Sequence, residues 1–176
     1  MAREGILTAA DRVELLEGWL VPKMTKNPPH RIVTRRVRLA LEGAVPGNWY
    51  VESQEPIVTT DSEPEPDVCV IRGRTEDYSE TNPPSEAVGL VVEIAEASLA
   101  VDRRLKTRVY ARASIPVYWI VDLATRCVEV HELPSGPSES PTYARRTEVS
   151  AGRLRLILDG AEVALIDLAD LFFPEG

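Results

Sequence analysis

The chain has 176 residues, 20 Lys+Arg against 28 Asp+Glu, and a formal net charge of -8. A folded chain of this size buries roughly 70% of its unfolded surface, and 44% hydrophobic residues supply the material, which excludes whole-chain disorder and predicts one domain over residues 1–176. The acidic balance argues against nucleic-acid binding through bulk charge, while leaving room for a local basic stripe.

Residues 8–17 (TAADRVELLE) open on Thr8, a good N-cap, and place Val13, Leu16 and Leu20 at helical spacing before Gly18 ends the turn, which predicts a short amphipathic helix. After the turn-rich MTKNPPH, a second helix over 29–43 is expected from Ile32, Val33, Val37, Leu39, Ala40 and Leu41, with Arg31, Arg35, Arg36 and Arg38 making its polar face basic. From Asn48 the texture changes to short β-branched runs, WYVES, EPIVT, PDVCVIR and GLVVEIAE, separated by turn formers, and each predicts a strand. DRRLKTRVYARAS returns to helical spacing, with Leu105, Val109 and Ala113 as its apolar stripe, before the strands PVYWIVD and CVEVHEL joined by the hairpin turn LATR. PSGPSESP reads as a loop rather than a domain boundary, and the C-terminal stretch beyond it supplies strands and a short closing helix, too little for a second core. The order predicts a mixed α/β (α+β) architecture in which a helix crossover makes GLVVEIAE and PVYWIVD parallel.

Cys69 and Cys127 each sit in an apolar strand-like stretch, which fits a reduced compartment. No apolar run reaches the roughly 18 residues of a membrane span, and no basic-then-apolar leader opens the chain, so a cytoplasmic protein is expected. No GxGxxG, GxxxxGK[ST], CxxC or HExxH occurs, so any metal is expected to be hard and held by carboxylate oxygens. Trp19, Trp49, Tyr118 and Trp119 are read as packing.

The chemistry-bearing pattern is EPEPD, entering an apolar strand at Asp67, with Glu93 further along inside GLVVEIAE. A period of two sets Val91, Glu93 and Ala95 on one face, and an acid there requires a partner or a metal, or else a place at an exposed edge. Asp102 and Lys106 stand at i and i+4, with Tyr110 a turn further; this is a surface ion pair, or a lysine turned back toward Glu93. The arginine stripes Arg31, Arg35, Arg38 and Arg104, Arg108, Arg112 are solvated helix faces or contacts to phosphates.

In order, VELLEGWLV, NPPH, EPDVCVI and GLVVEIAEASLAVDRRLKTRVYARASIPVYWIVD resemble the Uma-type family of restriction endonucleases in the PD-(D/E)XK nuclease superfamily, over most of residues 12–133. The acidic strand followed by a D…K…Y helix and a YWIVD strand is the specific part. The resemblance implies a restriction endonuclease-like central mixed sheet flanked by helices. It implies that Asp67 and Glu93 bind Mg2+ or Mn2+, that Lys106 takes the catalytic lysine's role, and that Glu14, a nearby helix acid, joins the metal residues by holding a second ion or a metal-bound water. His30 matches the family's histidine after the helix turn and either touches phosphate or caps the helix. With it, Arg31, Arg35, Arg104 and Arg108 are candidates for nucleic-acid contact.

Two positions depart from the pattern. Ala95 stands where the superfamily lysine lies, so the lysine comes from the helix, as is common in this family. Glu96 replaces the serine that usually comes after the strand acid. The implied activity is hydrolysis of phosphodiester bonds, with DNA as substrate and two copies acting as a homodimer. The competing reading is a non-catalytic binding or assembly module of the same fold. A serine hydrolase using His131 has no nucleophile elbow to support it.

Overall fold

The computed structural model describes residues 13–23, 27–96 and 98–172. Val13–Leu16 (β1) and Trp19–Pro22 (β2) form an antiparallel hairpin where the sequence predicts a helix; Thr8, its expected N-cap, lies outside the described residues. Glu17 and Gly18 explain the correction, because both take positive φ, 49° and 79°, as a two-residue type I′ hairpin turn requires. Gly18 therefore reverses the chain instead of ending a helix.

Helix α1 (Pro28–Glu42) is started by Asn27, whose side chain accepts the His30 amide at 3.0 Å, with proline in the first turn. It buries Val33, Thr34, Val37 and Leu41 and turns Arg31, Arg35 and Arg38 outward. Strand β3 (Trp49–Glu52) comes next. The expected strand at EPIVT is absent: Val58 makes one isolated bridge, to Pro84. Pro56, Pro83 and Pro84 withdraw the N–H groups a ladder would need there.

The chain then forms β4 (Val68–Arg72), β5 (Val88–Ala95), a helical passage made of α2 (Leu99–Val101), a π-helical turn Asp102–Lys106 and α3 (Thr107–Arg112), and β6 (Val117–Asp122). It continues through β7 (Cys127–Pro134), β8 (Tyr143–Val149), β9 (Arg153–Leu158), β10 (Ala161–Asp167) and α4 (Leu168–Leu171). A six-stranded mixed sheet runs β3-β4-β5-β6-β7-β8, antiparallel except for the β5–β6 pair, which the helical crossover makes parallel as expected. This is a mixed α+β fold.

Strand β5 is buried along its whole length and divides the apolar material between two layers. Leu90, Val92 and Ile94 pack with Val33 and Val37 of α1 and with Leu154 and Leu156 of β9. Val91 and Ala95 pack on the opposite face with Val109, Tyr110 and Ala111 of α3 and Leu16 of β1. Glu93 alternates with these last residues, as the period of two predicts. Trp49, Tyr118 and Trp119 are core residues, but Trp19 is not: 76% of its surface is exposed, because it lies at the tip of the hairpin beyond the core. No helix among the described residues is long and apolar enough to cross a membrane.

The π-helical turn is fastened to the sheet through Glu129 of β7, whose side chain is fully buried. Arg103 Nε donates to its Oε1 at 2.6 Å and Arg146 Nε to its Oε2 at 2.9 Å. Burial pushes this carboxyl up, but the two arginines outweigh burial and hold it below the usual glutamate range. A carboxyl depressed on folding adds stability that is present above its unfolded pKa and disappears as the pH falls through the folded value. Glu129→Gln is thus expected to cost about 1.5–3 kcal/mol near pH 7, with the gap to the unmodified protein closing on acidification below about pH 4. Urea unfolding across pH checks this.

Candidate functional site

The site begins with a strand register. β4 pairs antiparallel to β5 with Val68 opposite Val92, so one further residue sets Asp67, which directly precedes β4, across from Glu93. Both are buried. The Ile94 amide donates to Asp67 Oδ2 at 3.0 Å, which fixes one carboxylate oxygen to the backbone of the strand carrying the other acid. His30 Nε2 lies 3.0 Å from the same oxygen. Its ring therefore reaches Asp67 while Asn27 does the capping, and Thr34 Oγ1 stands 3.3 Å from Nδ1 on the far side.

Opposite these acids the helical passage delivers Lys106. The π-helical turn is held at the carbonyl of Asp102, which accepts from the Thr107 amide, from Thr107 Oγ1 at 2.9 Å and from Tyr118 Oη at 3.3 Å. A single π turn re-aims side chains at the cost of a regular hydrogen-bond ladder, a feature frequent at functional sites. Lys106 Nζ comes within 2.9 Å of Glu93 Oε1, 3.5 Å of Glu14 Oε1 and 3.9 Å of Asp102 Oδ1. Of the alternatives at this lysine, the structure takes the one that points it at Glu93. The position of the superfamily lysine, Ala95, is fully buried in the core.

Glu14 is brought to the site by β1, a correction to its expected place on a helix, and the Glu65 amide donates to its Oε2 at 3.3 Å. Two further participants have no role that sequence reasoning supplies. Tyr110 Oη donates to Glu93 Oε1 at 2.6 Å, and Ser98 Oγ donates to Asp102 Oδ2 at 2.6 Å. The signal for Tyr110 is its spacing one turn beyond Lys106; its hydroxyl partner depends on where β5 lies and has no mark in the sequence.

Electrostatically, Glu14, Glu93 and Asp102 surround one ammonium in a nearly dry setting, with Asp67 across from Glu93. Burial pushes Glu93 up to about 8, with Lys106 opposing and the carboxylates of Asp67, Asp102 and Glu14 adding to the rise. Burial likewise carries Asp102 up to about 6. For Lys106 burial works against the charge, yet Glu93, Glu14 and Asp102 overcome it and hold the ammonium protonated.

At the periphery Glu96, the departure from the family pattern, is exposed and accepts from the Asn27 side-chain amide. Arg31, Arg35 and Arg104 are exposed and form no ion pair among the described residues. Arg38 pairs with Glu42, whereas Arg108 and Arg112 bind Glu17 of the hairpin turn.

Carboxylate oxygens in excess of cationic charge are the donors a hard divalent ion takes. Among the described residues no three His, Cys, Asp or Glu side chains form a ready cage. Asp67 and Glu93, opposed across the β4–β5 pair, offer two carboxylates, the donor type that a hard divalent ion takes.

A model of the Uma2 family, described as "Putative restriction endonuclease", matches residues 4–162. The chain belongs to the Uma2 family. The fold of this Uma2 member is similar to the crystal structure of a putative nuclease belonging to DUF820 from Anabaena variabilis, with a TM-score of 0.70 and 13% sequence identity, over 97% of this chain and 94% of that one. No curated protein matches the chain.

The Tyr110 hydroxyl donates to Glu93 from a fully buried position, so Tyr110→Phe is expected to destabilise this Uma2 protein by about 1–3 kcal/mol, read as a lower urea midpoint with unchanged slope. An unchanged midpoint would show that the bond to Glu93 contributes nothing net.

Proposed function

We propose that the protein is a divalent-metal-dependent nuclease that hydrolyses phosphodiester bonds of nucleic acid, with DNA as substrate. The observation that carries this reading is the meeting of Lys106 Nζ with Glu93 Oε1 at 2.9 Å, beside an Asp67 set opposite Glu93 by strand register. In this reading Asp67 and Glu93 hold Mg2+ or Mn2+, and Glu14 borders the same site. When bound, the ion lowers the pKa of an attacking water and draws charge from a non-bridging phosphate oxygen.

The chain's own groups orient and balance. His30 and the Ile94 amide fix Asp67 Oδ2, while Tyr110 and Lys106 fix Glu93 Oε1. Lys106, kept protonated by its carboxylates, offsets the negative charge that grows on the phosphate as the water oxygen bonds to phosphorus and the ester bond breaks. Arg31, Arg35 and Arg104 are open to phosphates along the strand, and Arg108 lends its charge while it stays on Glu17. The unit that acts is one restriction endonuclease-like domain, paired as a homodimer to cut both strands. A cytoplasmic setting goes with Cys69 and Cys127, both free and buried.

The competing reading, a non-catalytic module of this fold, is favoured by the three carboxylates that already engage Lys106. Cleavage of supercoiled plasmid and single-stranded DNA with Mg2+ or Mn2+ separates the two. The nuclease reading expects ion-dependent cutting by the unmodified protein, lowered about 100-fold or more in Glu93→Ala and Lys106→Ala. Equal cutting by all three preparations signals contamination and, like no cutting at all, favours the module.

A further inference from the structure

Trp19 has the most exposed large apolar side chain among the described residues. Its setting ties it to the buried acids. In the β1–β2 register Trp19 lies opposite Leu16, and Val21 opposite Glu14. Directly opposed residues of an antiparallel pair project to one face, so Glu14, Leu16 and Trp19 share a face of the hairpin. That face is closed at Glu14, which reaches Lys106, and at Leu16, which is fully buried. It emerges into solvent at Trp19, directly across from Leu16 and two residues along the ribbon from the level of Glu14.

The hairpin turn next to Trp19 is braced. Arg108 Nη2 donates to both Glu17 oxygens at 2.9 Å, and Arg112 Nη1 lies 3.1 Å from one of them. The Gly18 amide donates to Asp61 O at 3.1 Å, and the Glu17 amide to Ser62 Oγ at 2.8 Å. The acids at the tip, Glu17 and Asp61, are matched by Arg108 and Arg112, and Trp19–Pro22 carries no charge of its own. A polyanion can therefore approach the ring without meeting an unopposed carboxylate on this strand.

A flat, exposed π face on a braced turn beside a phosphate-handling site suits a nucleobase. In a duplex both faces of each base are covered by neighbours, so the ligand is an unpaired base. We propose that Trp19 is a stacking platform for an unpaired base near the phosphate at Lys106, and that it gives the protein a preference for single-stranded segments over duplex. The proposal rests on the nuclease reading.

The test uses the protein's own fluorescence. Trp49 and Trp119 are buried, so quenching by a bound oligothymidylate reports Trp19. Binding of a 12-nucleotide oligothymidylate and of a matched duplex is measured for the unmodified protein, Trp19→Ala and Trp19→Phe, in EDTA and again with Ca2+. The expected result is quenching and tighter binding of the single strand, a loss of roughly ten- to hundredfold in affinity in Trp19→Ala, an intermediate value for Trp19→Phe, and an unchanged Tm. Equal affinities for unmodified protein and Trp19→Ala overturn the platform and leave the nuclease reading standing. So does plasmid cleavage without oligonucleotide binding. Neither binding nor cleavage withdraws both. A blue shift of emission that grows with protein concentration, without nucleic acid, shows a second copy covering Trp19 and also overturns the proposal.

Discussion

One ammonium group fastens three separate pieces of chain to each other. Lys106 Nζ, at the end of the π-helical turn, meets Glu93 from the middle of the sheet, Glu14 from the hairpin and Asp102 from the start of its own turn. Charges taken out of water are unfavourable unless they are closely paired and hydrogen-bonded, and each of these acids has a second partner: Tyr110 for Glu93, the Glu65 amide for Glu14, Ser98 for Asp102. Moving any of the three pieces would leave buried charge uncompensated. The arrangement therefore fixes where the hairpin, the crossover and the central strand lie relative to one another.

The same arrangement creates the chemistry. Packing carboxylates against a single cation in a dry layer leaves the site short of positive charge, which is why burial and mutual repulsion carry Glu93 and Asp102 above their usual range. A site in this condition is receptive to a hard cation and to hydrogen-bond donors. Another buried carboxylate of the sheet, Glu129, makes the contrast: two arginines balance it, its carboxyl is depressed, and it serves to anchor the π turn.

Local signals make much of this legible in the sequence. The alternation in GLVVEIAE places Glu93 on a buried face, the Asn27-Pro28-Pro29 start defines α1, and the crossover length makes β5 and β6 parallel. The meeting of Asp67 with Glu93 depends on a register between distant segments, and only the family resemblance points to it. The hairpin passes for a helix because Val13, Leu16 and Leu20 satisfy a helical period, while the turn uses glutamate at positive φ, a residue that does not advertise a type I′ turn. EPIVT has the side chains of a strand but faces a segment of prolines. Trp19 reads as core because strand aromatics usually are; its exposure depends on where the hairpin ends relative to the layer beneath it.

The most direct test of the ammonium's organising role is a double-mutant cycle in metal-free buffer, measuring urea unfolding of Lys106→Met, Glu93→Gln and the pair combined. Removing Lys106 alone is predicted to cost about 3 kcal/mol, since it strands buried carboxylates, and the double variant is predicted to recover at least about 1 kcal/mol relative to the sum of the singles. Additivity within about 0.5 kcal/mol would mean that Lys106 and Glu93 are not coupled and would contradict that role.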